Sequence, residues 1–231
     1  MDKKILPWLL ISILLILAVA IMFPTGKNAP TAPMLPWDIT VTKNGNTKVF
    51  DLTLNQSTLS DAQKMFKKEA KLSMFVSPQN SYTVEAYFER LYISGIRADL
   101  ILTLDISQTS AEQMFERGLR LSQLGSGVKK ITLDQADHSS AIEAAISHIT
   151  YLPVAQLDAE LIHKRFGKSD EYHSESSDIT HWLYPDKGLD IALNQKGKAV
   201  LQYTSPADFD QIIKPLTRTI VDNKTEEANP Q

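Results

Sequence analysis

The chain has 231 residues, of which 43% are hydrophobic and 22% charged, enough for one or two globular units with a real core. Its formal net charge of −3 argues against nucleic-acid binding, which needs a concentrated basic surface. The absence of cysteine excludes disulfides, thiolate metal centres and lipid attachment through a cysteine.

Ile5 to Phe23 is a run of 19 residues without a charged side chain. As a helix it extends about 28 Å, close to the thickness of a bilayer core. Lys3 and Lys4 precede it, and the positive-inside bias holds them in the cytoplasm. The expectation is a single-pass anchor in a bacterial inner membrane, with the N-terminus cytoplasmic and the rest periplasmic. The rival reading is secretion after signal cleavage near Ala20, since Ala18-Val19-Ala20 resembles an A-x-A site. Ile21, Met22 and Phe23 carry the apolar run past that site and favour the anchor. Pro24, Pro30, Pro33 and Pro36 make 24–36 an extended linker.

Trp37 to Val41 and Lys48 to Leu54 alternate with period two around Asn44-Gly45, which predicts a β-hairpin. Leu59 to Lys71 has the apolar spacing of a helix, with Ser57 or Ser60 as its cap. Its Lys64, Lys67, Lys68 and Lys71 read as a solvated face. Tyr82 to Ile93 and Ile96 to Ile106 read as strands joined at Ser94-Gly95. A helix is expected from Thr109 or Ser110 to Gln123, a strand from Lys129 to Leu133, and a helix from Asp137 or Ser139 to His148. Leu157 to Gly167 reads as a short helix ending at glycine. Three strands follow, at 180–184, 189–193 and 199–203, and Pro206 opens a last short helix. The domain reading is an anchor at 1–23, a linker at 24–36, α+β units at 37–128 and 129–218, and a polar tail at 219–231.

Ala62 to Lys71 aligns with Ala159 to Lys168, and Leu91-Tyr92 with Gly95-Ile96 aligns with Leu183-Tyr184 and Gly188-Leu189. The common order points to a duplicated helix-plus-meander unit. The second copy resembles the SmpA/OmlA (BamE-like) envelope domain. It has a helix closing on Gly167, a Trp182-x-Tyr184 strand, Gly188-Leu189 opening the next strand, and a Gly197-Lys198 turn before the last. A tandem pair of such units is similar to the architecture of β-lactamase inhibitory proteins. Two departures stand out: the lipobox cysteine of the family is missing, and Leu152-Pro153-Val154 replaces the usual Gly-Met-Thr before the helix. The resemblance implies a non-enzymatic envelope protein that binds other proteins through its sheet.

The search for chemistry yields little. His163, His173 and His181 lie close in sequence, but their spacing matches no metal motif, so no metal or other cofactor is expected. No nucleophile motif or phosphate loop occurs, and Asp99 and Asp105 fall on the solvent side of one strand. The expected fold is α+β: an antiparallel sheet covered by short helices, duplicated, behind one N-terminal transmembrane helix. The expected function is a periplasmic adaptor binding another envelope protein, with Trp182, Tyr184, Tyr172, Tyr87 and Phe88 as aromatic anchors. The alternative is a carrier or sensor of an apolar ligand such as a lipid.

Overall fold

The computed structural model describes residues 33–125, 127–214 and 216. The expected anchor at Ile5 to Phe23, the linker before Pro33 and the tail at 219–231 lie outside them. No helix among the described residues is long and apolar enough to cross a membrane. The chain clusters into Met1–Pro33 and Met34–Gln231, and the second unit is α+β with a large antiparallel sheet.

The Asn44-Gly45 hairpin forms, with Gly45 at φ +80°, and it joins β1 (Thr40–Val41) to β2 (Thr47–Val49). β3 (Leu52–Thr53) completes a small three-stranded sheet. Helix α1 (Leu59–Phe66) is capped by Thr58, between the two serines expected there. Thr58 and Asp61 exchange side-chain and backbone bonds in a capping box. The helix stops at Lys67, which is left-handed at φ 50°. The chain then turns into a strand that the sequence reading left unassigned beyond Lys71, β4 (Lys71–Val76), whose Met74 and Val76 are buried.

β5 (Tyr82–Ile93) and β6 (Ile96–Leu104) pair through the Ser94-Gly95 turn. Helix α2 (Gln108–Glu116) was expected to reach Gln123 but ends seven residues earlier. A Cβ at Gly118 would overlap the Ile131 side chain, so the chain passes close to the sheet there and leaves the helical path. Residues Arg120–Gln123 form β7, paired with β8 (Lys129–Thr132). Helix α3 (Gln135–Ile142) is likewise shorter than predicted, and β9 (Ile146–Pro153) replaces its last turns. Both misreadings share a cause: short apolar runs carry helix and strand spacing equally well, and tertiary pairing decides between them.

Helix α4 (Ala159–Phe166) is capped by Asp158, which accepts from the Leu161 N–H at 2.7 Å. The meander after it has four strands rather than three: β10 (Glu171–Ser174), β11 (Ile179–Tyr184), β12 (Leu189–Asn194) and β13 (Ala199–Tyr203).

The large sheet runs β10-β11-β12-β13-β9-β6-β5-β4-β8-β7, antiparallel throughout. It crosses the expected unit boundary near residue 128 without a break, because β8 pairs with β4 and β9 with β6. The two sides of the β6–β9 seam start alike and then diverge. A central strand leads into a helix, the helix leads to the edge strand, and the chain then steps back inward. On one side the path is β9, α4, β10, β11, β12, β13. On the other it is β6, α2, β7, β8, with β4 and β5 supplied from before β6.

One face of the sheet is the inner face. Its Met74, Phe88, Leu100, Leu102, Tyr151, Leu201 and Tyr203 form one cluster with Leu59 of α1, Met114 of α2, Ala141 of α3 and Phe166 of α4. Phe50 from the small sheet packs against Tyr151 and Tyr203, with ring centroids 5.0 and 5.7 Å apart. Burying one such aromatic side chain contributes roughly 1.5–3 kcal/mol, so this layer dominates stability.

Two glycines separate space from backbone conformation. Gly188 is left-handed at φ +64°, and a Cβ there would overlap the Thr204 carbonyl; Gly95 is at φ +83° with open space around it. Gly188→Ala is expected to destabilise by more than about 3 kcal/mol in urea unfolding, and Gly95→Ala by only about 1–2 kcal/mol. Equal costs would show that backbone conformation, not the close approach to Thr204, governs Gly188.

Candidate functional site

Strand alternation sends every second side chain to the outer face, away from α1–α4. The register aligns one row across eight strands: Lys71, Tyr87, Ile101, Thr150, Gln202, Asp190, Leu183 and Glu171. A neighbouring row holds Ser73, Glu85, Thr103 and His148. Most of these side chains are half-buried, as on a sheet face without a second layer. The exception is the β11–β12 end, where Phe209 and Ile212 bury Leu183.

Beside that covered end lies a polar trough. A cavity of about 420 Å³ is lined by Asn55, Thr83, Thr103, His148, Asp208 and Gln211. It shares Thr83, Thr103, His148 and Gln211 with a second of about 400 Å³ that reaches Asp190, Gln202, Ile212 and Leu216. His148 Nδ1 lies 3.1 Å from Ser147 Oγ. Burial lowers the pKa of His148 against the opposing charge of Asp208, which favours the neutral imidazole.

At the trough's margin is an ionic cluster. His181 Nδ1 stands 2.8 Å from Asp190 Oδ2, and its Nε2 stands 3.3 Å from Glu175 Oε2. His181 is 3% exposed and Asp190 is fully buried. Glu175 comes from the turn between β10 and β11, so the imidazole ties that hairpin to β12. Burial pulls the His181 pKa down, but the hydrogen bonds and charges of Asp190, then Glu175, outweigh it and leave the pKa raised. Burial raises the Asp190 carboxyl, opposed by the bond from His181. With a carboxylate on each ring nitrogen, the imidazolium is the form that donates to both.

That arrangement holds structure in place and has no nitrogen lone pair free for a metal or a substrate proton. His173 is the cross-strand neighbour of His181, but its Nε2 is bound to Glu171 at 2.9 Å. His163 lies on the exposed side of α4, over the opposite face of the sheet. The three histidines do not converge, and among the described residues no group of three His, Asp or Glu side chains is arranged so that it could hold a metal ion.

The aromatic anchors read from the sequence divide. Phe88 is fully buried and Tyr184 is 1% exposed, so both belong to the core rather than to a binding surface. Phe88 shares strand parity with buried Val84 and Ala86, and the Tyr184 hydroxyl donates to the Gly167 carbonyl at 3.0 Å. Tyr87 is on the outer face, where its hydroxyl donates to Asp99 at 2.6 Å. This bond and burial push its pKa up to about 12. The other Asp99 oxygen accepts from Arg90 N at 2.7 Å and holds the bulge between Phe88 and Leu91. Trp182 is half-buried on the inner face, edge-on to Tyr172 with centroids 4.9 Å apart. Tyr172, at 50% exposure, is the most exposed of the five. Sequence reasoning missed Thr150 and Gln202 and put His148, one of the candidate histidines, at the end of a helix; recognising β9 as a strand would have exposed His148 and Thr150 through their alternation with Ile149 and Tyr151.

The chain matches no protein-family model, no curated protein and no solved structure.

Two measurements probe this geometry. A raised native pKa means that His181 stabilises fully below the unfolded value near 6.5 and loses that contribution as pH climbs through the native value. Urea unfolding from pH 5 to 9 should show a fall in stability with rising pH that His181→Gln flattens and Glu175→Gln moves to lower pH. A pH slope unchanged in His181→Gln would rule out the imidazolium assignment. Phe88→Ala should cost about 3–5 kcal/mol as a core truncation, whereas Tyr172→Ala, which loses one edge-on ring contact at the surface, should cost only about 0.5–1.5 kcal/mol.

Proposed function

We propose that the chain is a membrane-anchored adaptor of the bacterial envelope that binds another envelope protein through the outer face of its sheet. The observation that carries this reading is the inequality of the two faces. Helices cover the inner one, while Tyr87, Ile101, Thr150, Leu152, Val200 and Gln202 leave the outer one half-buried beside an open polar trough. A broad, mixed surface with aromatic, aliphatic and amide groups suits protein recognition better than the enclosure of a small substrate.

The rest of the reading comes from the sequence. Ile5 to Phe23 is the inner-membrane anchor, and the proline-rich segment after it holds the folded unit away on the periplasmic side. The duplication read from the sequence, with α1 as the counterpart of α4, is supported by the antiparallel meander that follows each helix, β4–β6 after α1 and β10–β13 after α4. The BamE-like resemblance covers the half built from α4 and β11–β13.

The alternative, carriage of an apolar ligand, is favoured by an apolar cavity of about 170 Å³ beneath α4, between Trp37, Tyr151, Leu161 and Leu201. Ligand pockets typically measure about 300–1,000 Å³, so this space suits a group the size of a side chain rather than a lipid. The adaptor reading is therefore preferred.

The test is site-specific photocrosslinking of the full chain in native membranes, with the probe at Thr150 or Gln202 on the outer face and at exposed Lys164 on α4. The two outer-face positions should give the same defined envelope protein, and Lys164 should not. Thr150→Arg should reduce that product at least tenfold. Equal yields from both sides of the sheet, or no product from Thr150 and Gln202, would overturn the adaptor reading.

A further inference from the structure

The two ends of the large sheet are finished differently. At the β10 end, Glu171 pairs with His173 at 2.9 Å and Tyr172 lies against Trp182. The polar and aromatic groups of that edge are therefore already engaged with one another. At the β7 end, all four residues of Arg120–Gln123 are exposed. β7 is hydrogen-bonded to β8 on one side only, so its other side carries unpaired backbone donors and acceptors.

The side chains around that edge are not those of a protected strand. Leu119, Leu121 and Leu124 are 67%, 53% and 42% exposed, a concentration of large apolar surface in six residues. Leu121 lies opposite Ile131 on the inner side of the sheet, and Leu119 shares its parity. Arg120 points to the outer side together with Lys130, which reaches over the Phe75 ring at 5.7 Å. Arg120 and Lys129 draw no ion pair among the described residues. An isolated cationic side chain beside an open strand is complementary to an acidic residue on whatever strand is added next.

We propose that β7 is a second docking site, where an extended segment of a partner protein adds as an eleventh strand. Backbone hydrogen bonds to the free edge supply affinity, and alternate side chains supply specificity. The pattern fixes the chemistry of the segment. Residues facing the inner side are apolar and extend the shelf of Leu119 and Leu121. Residues facing the outer side are acidic and meet Arg120, the cation on the edge strand itself. A second copy of this chain fits less well. Antiparallel self-pairing in a register that keeps the faces matched sets Leu121 against itself but leaves Arg120 opposite Ser122, with its charge unanswered. The site does not depend on the outer-face adaptor reading, and it could hold if that reading fails.

The test uses the full chain in detergent micelles and a blocked eight-residue peptide of alternating valine and glutamate, followed by amide NMR. The expected result is saturable shifts confined to β7, β8 and their turn, with slowed exchange of β7 amides. Replacing glutamate by lysine in the peptide should weaken binding at least tenfold. N-methylation along one edge of the peptide should abolish binding. Leu121→Asp should weaken it at least tenfold while leaving the thermal midpoint unchanged. No binding, equal binding of the lysine peptide, indifference to N-methylation, or shifts centred on β10 or the outer face would each overturn the proposal. Shifts of β7 amides on concentrating the protein alone would instead assign the edge to self-pairing, and would overturn it as well. None of these outcomes changes the crosslinks expected from Thr150 and Gln202, so the two readings fail separately.

Discussion

The pairing of β6 with β9 is the constraint on which the described unit depends. It joins two five-stranded halves and runs from Ala98 opposite Pro153 to Leu104 opposite Ile146. Because side-chain direction alternates with period two, this register sets which residues of both halves face the helices. Leu100 meets Tyr151 and Leu102 meets Ile149 on the inner face, while Ile101 meets Thr150 on the outer one. A slip of one residue would bring Thr150 and Gln202 into the core and turn Tyr151 and Leu201 outward. The inner layer of four helices and the small sheet is packed on that register alone.

The ionic cluster on the outer face is costly by comparison. A buried carboxylate and imidazole lose hydration that their attraction only partly returns, and apolar residues of the same volume often serve stability as well or better. Asp190 and His181 sit where Leu183 already shows that an apolar side chain can be covered, beneath Phe209 and Ile212. What the ion pair adds is direction. Both ring nitrogens are engaged, so β12 and the β10–β11 turn can meet in only one arrangement, and the end of the trough nearest Asp190 keeps its shape. The cluster therefore acts on the site by positioning rather than by chemistry.

Much of this was legible in the sequence, and the misses have physical reasons. The Asn44-Gly45 hairpin, the strands at 82–93 and 96–104, the helix at 159–166 and the meander after it carry strong local signals: turn chemistry, alternation and caps. β4, β7 and β9 do not. β7 and β9 follow a helix and have an apolar spacing compatible with that helix continuing, while β4 begins where its expected helix ends and lacks a clean alternation of apolar and polar residues. Strand identity there comes from partners far along the chain, which a local pattern cannot see. The site suffered from the same blindness. Aromatic content drew attention to Phe88 and Tyr184, whose parity puts them in the core, while the half-buried row through Thr150 and Gln202 contains no residue that is conspicuous by type.

Both halves share the step from a central strand through a helix to an edge strand, and this bears on how the sheet's ends differ. In each half the helix after the central strand lies over the inner face and stops short of the edge, so the inner side of each edge strand is left uncovered. On β10 that place is taken by Tyr172, which rests on Trp182 one strand further in. On β7 the corresponding place is taken by Leu121, whose neighbour across the pair is the smaller Ile131, already 2% exposed within the core. The two side chains are about equally exposed, but Tyr172 is held edge-on against the Trp182 ring, while Leu121 stands beside an aliphatic side chain already enclosed by the core. The same architectural gap thus presents an engaged aromatic ring at one end and a bare aliphatic side chain at the other. The β7 end is also the end whose outward-facing arginine has no carboxylate partner among the described residues.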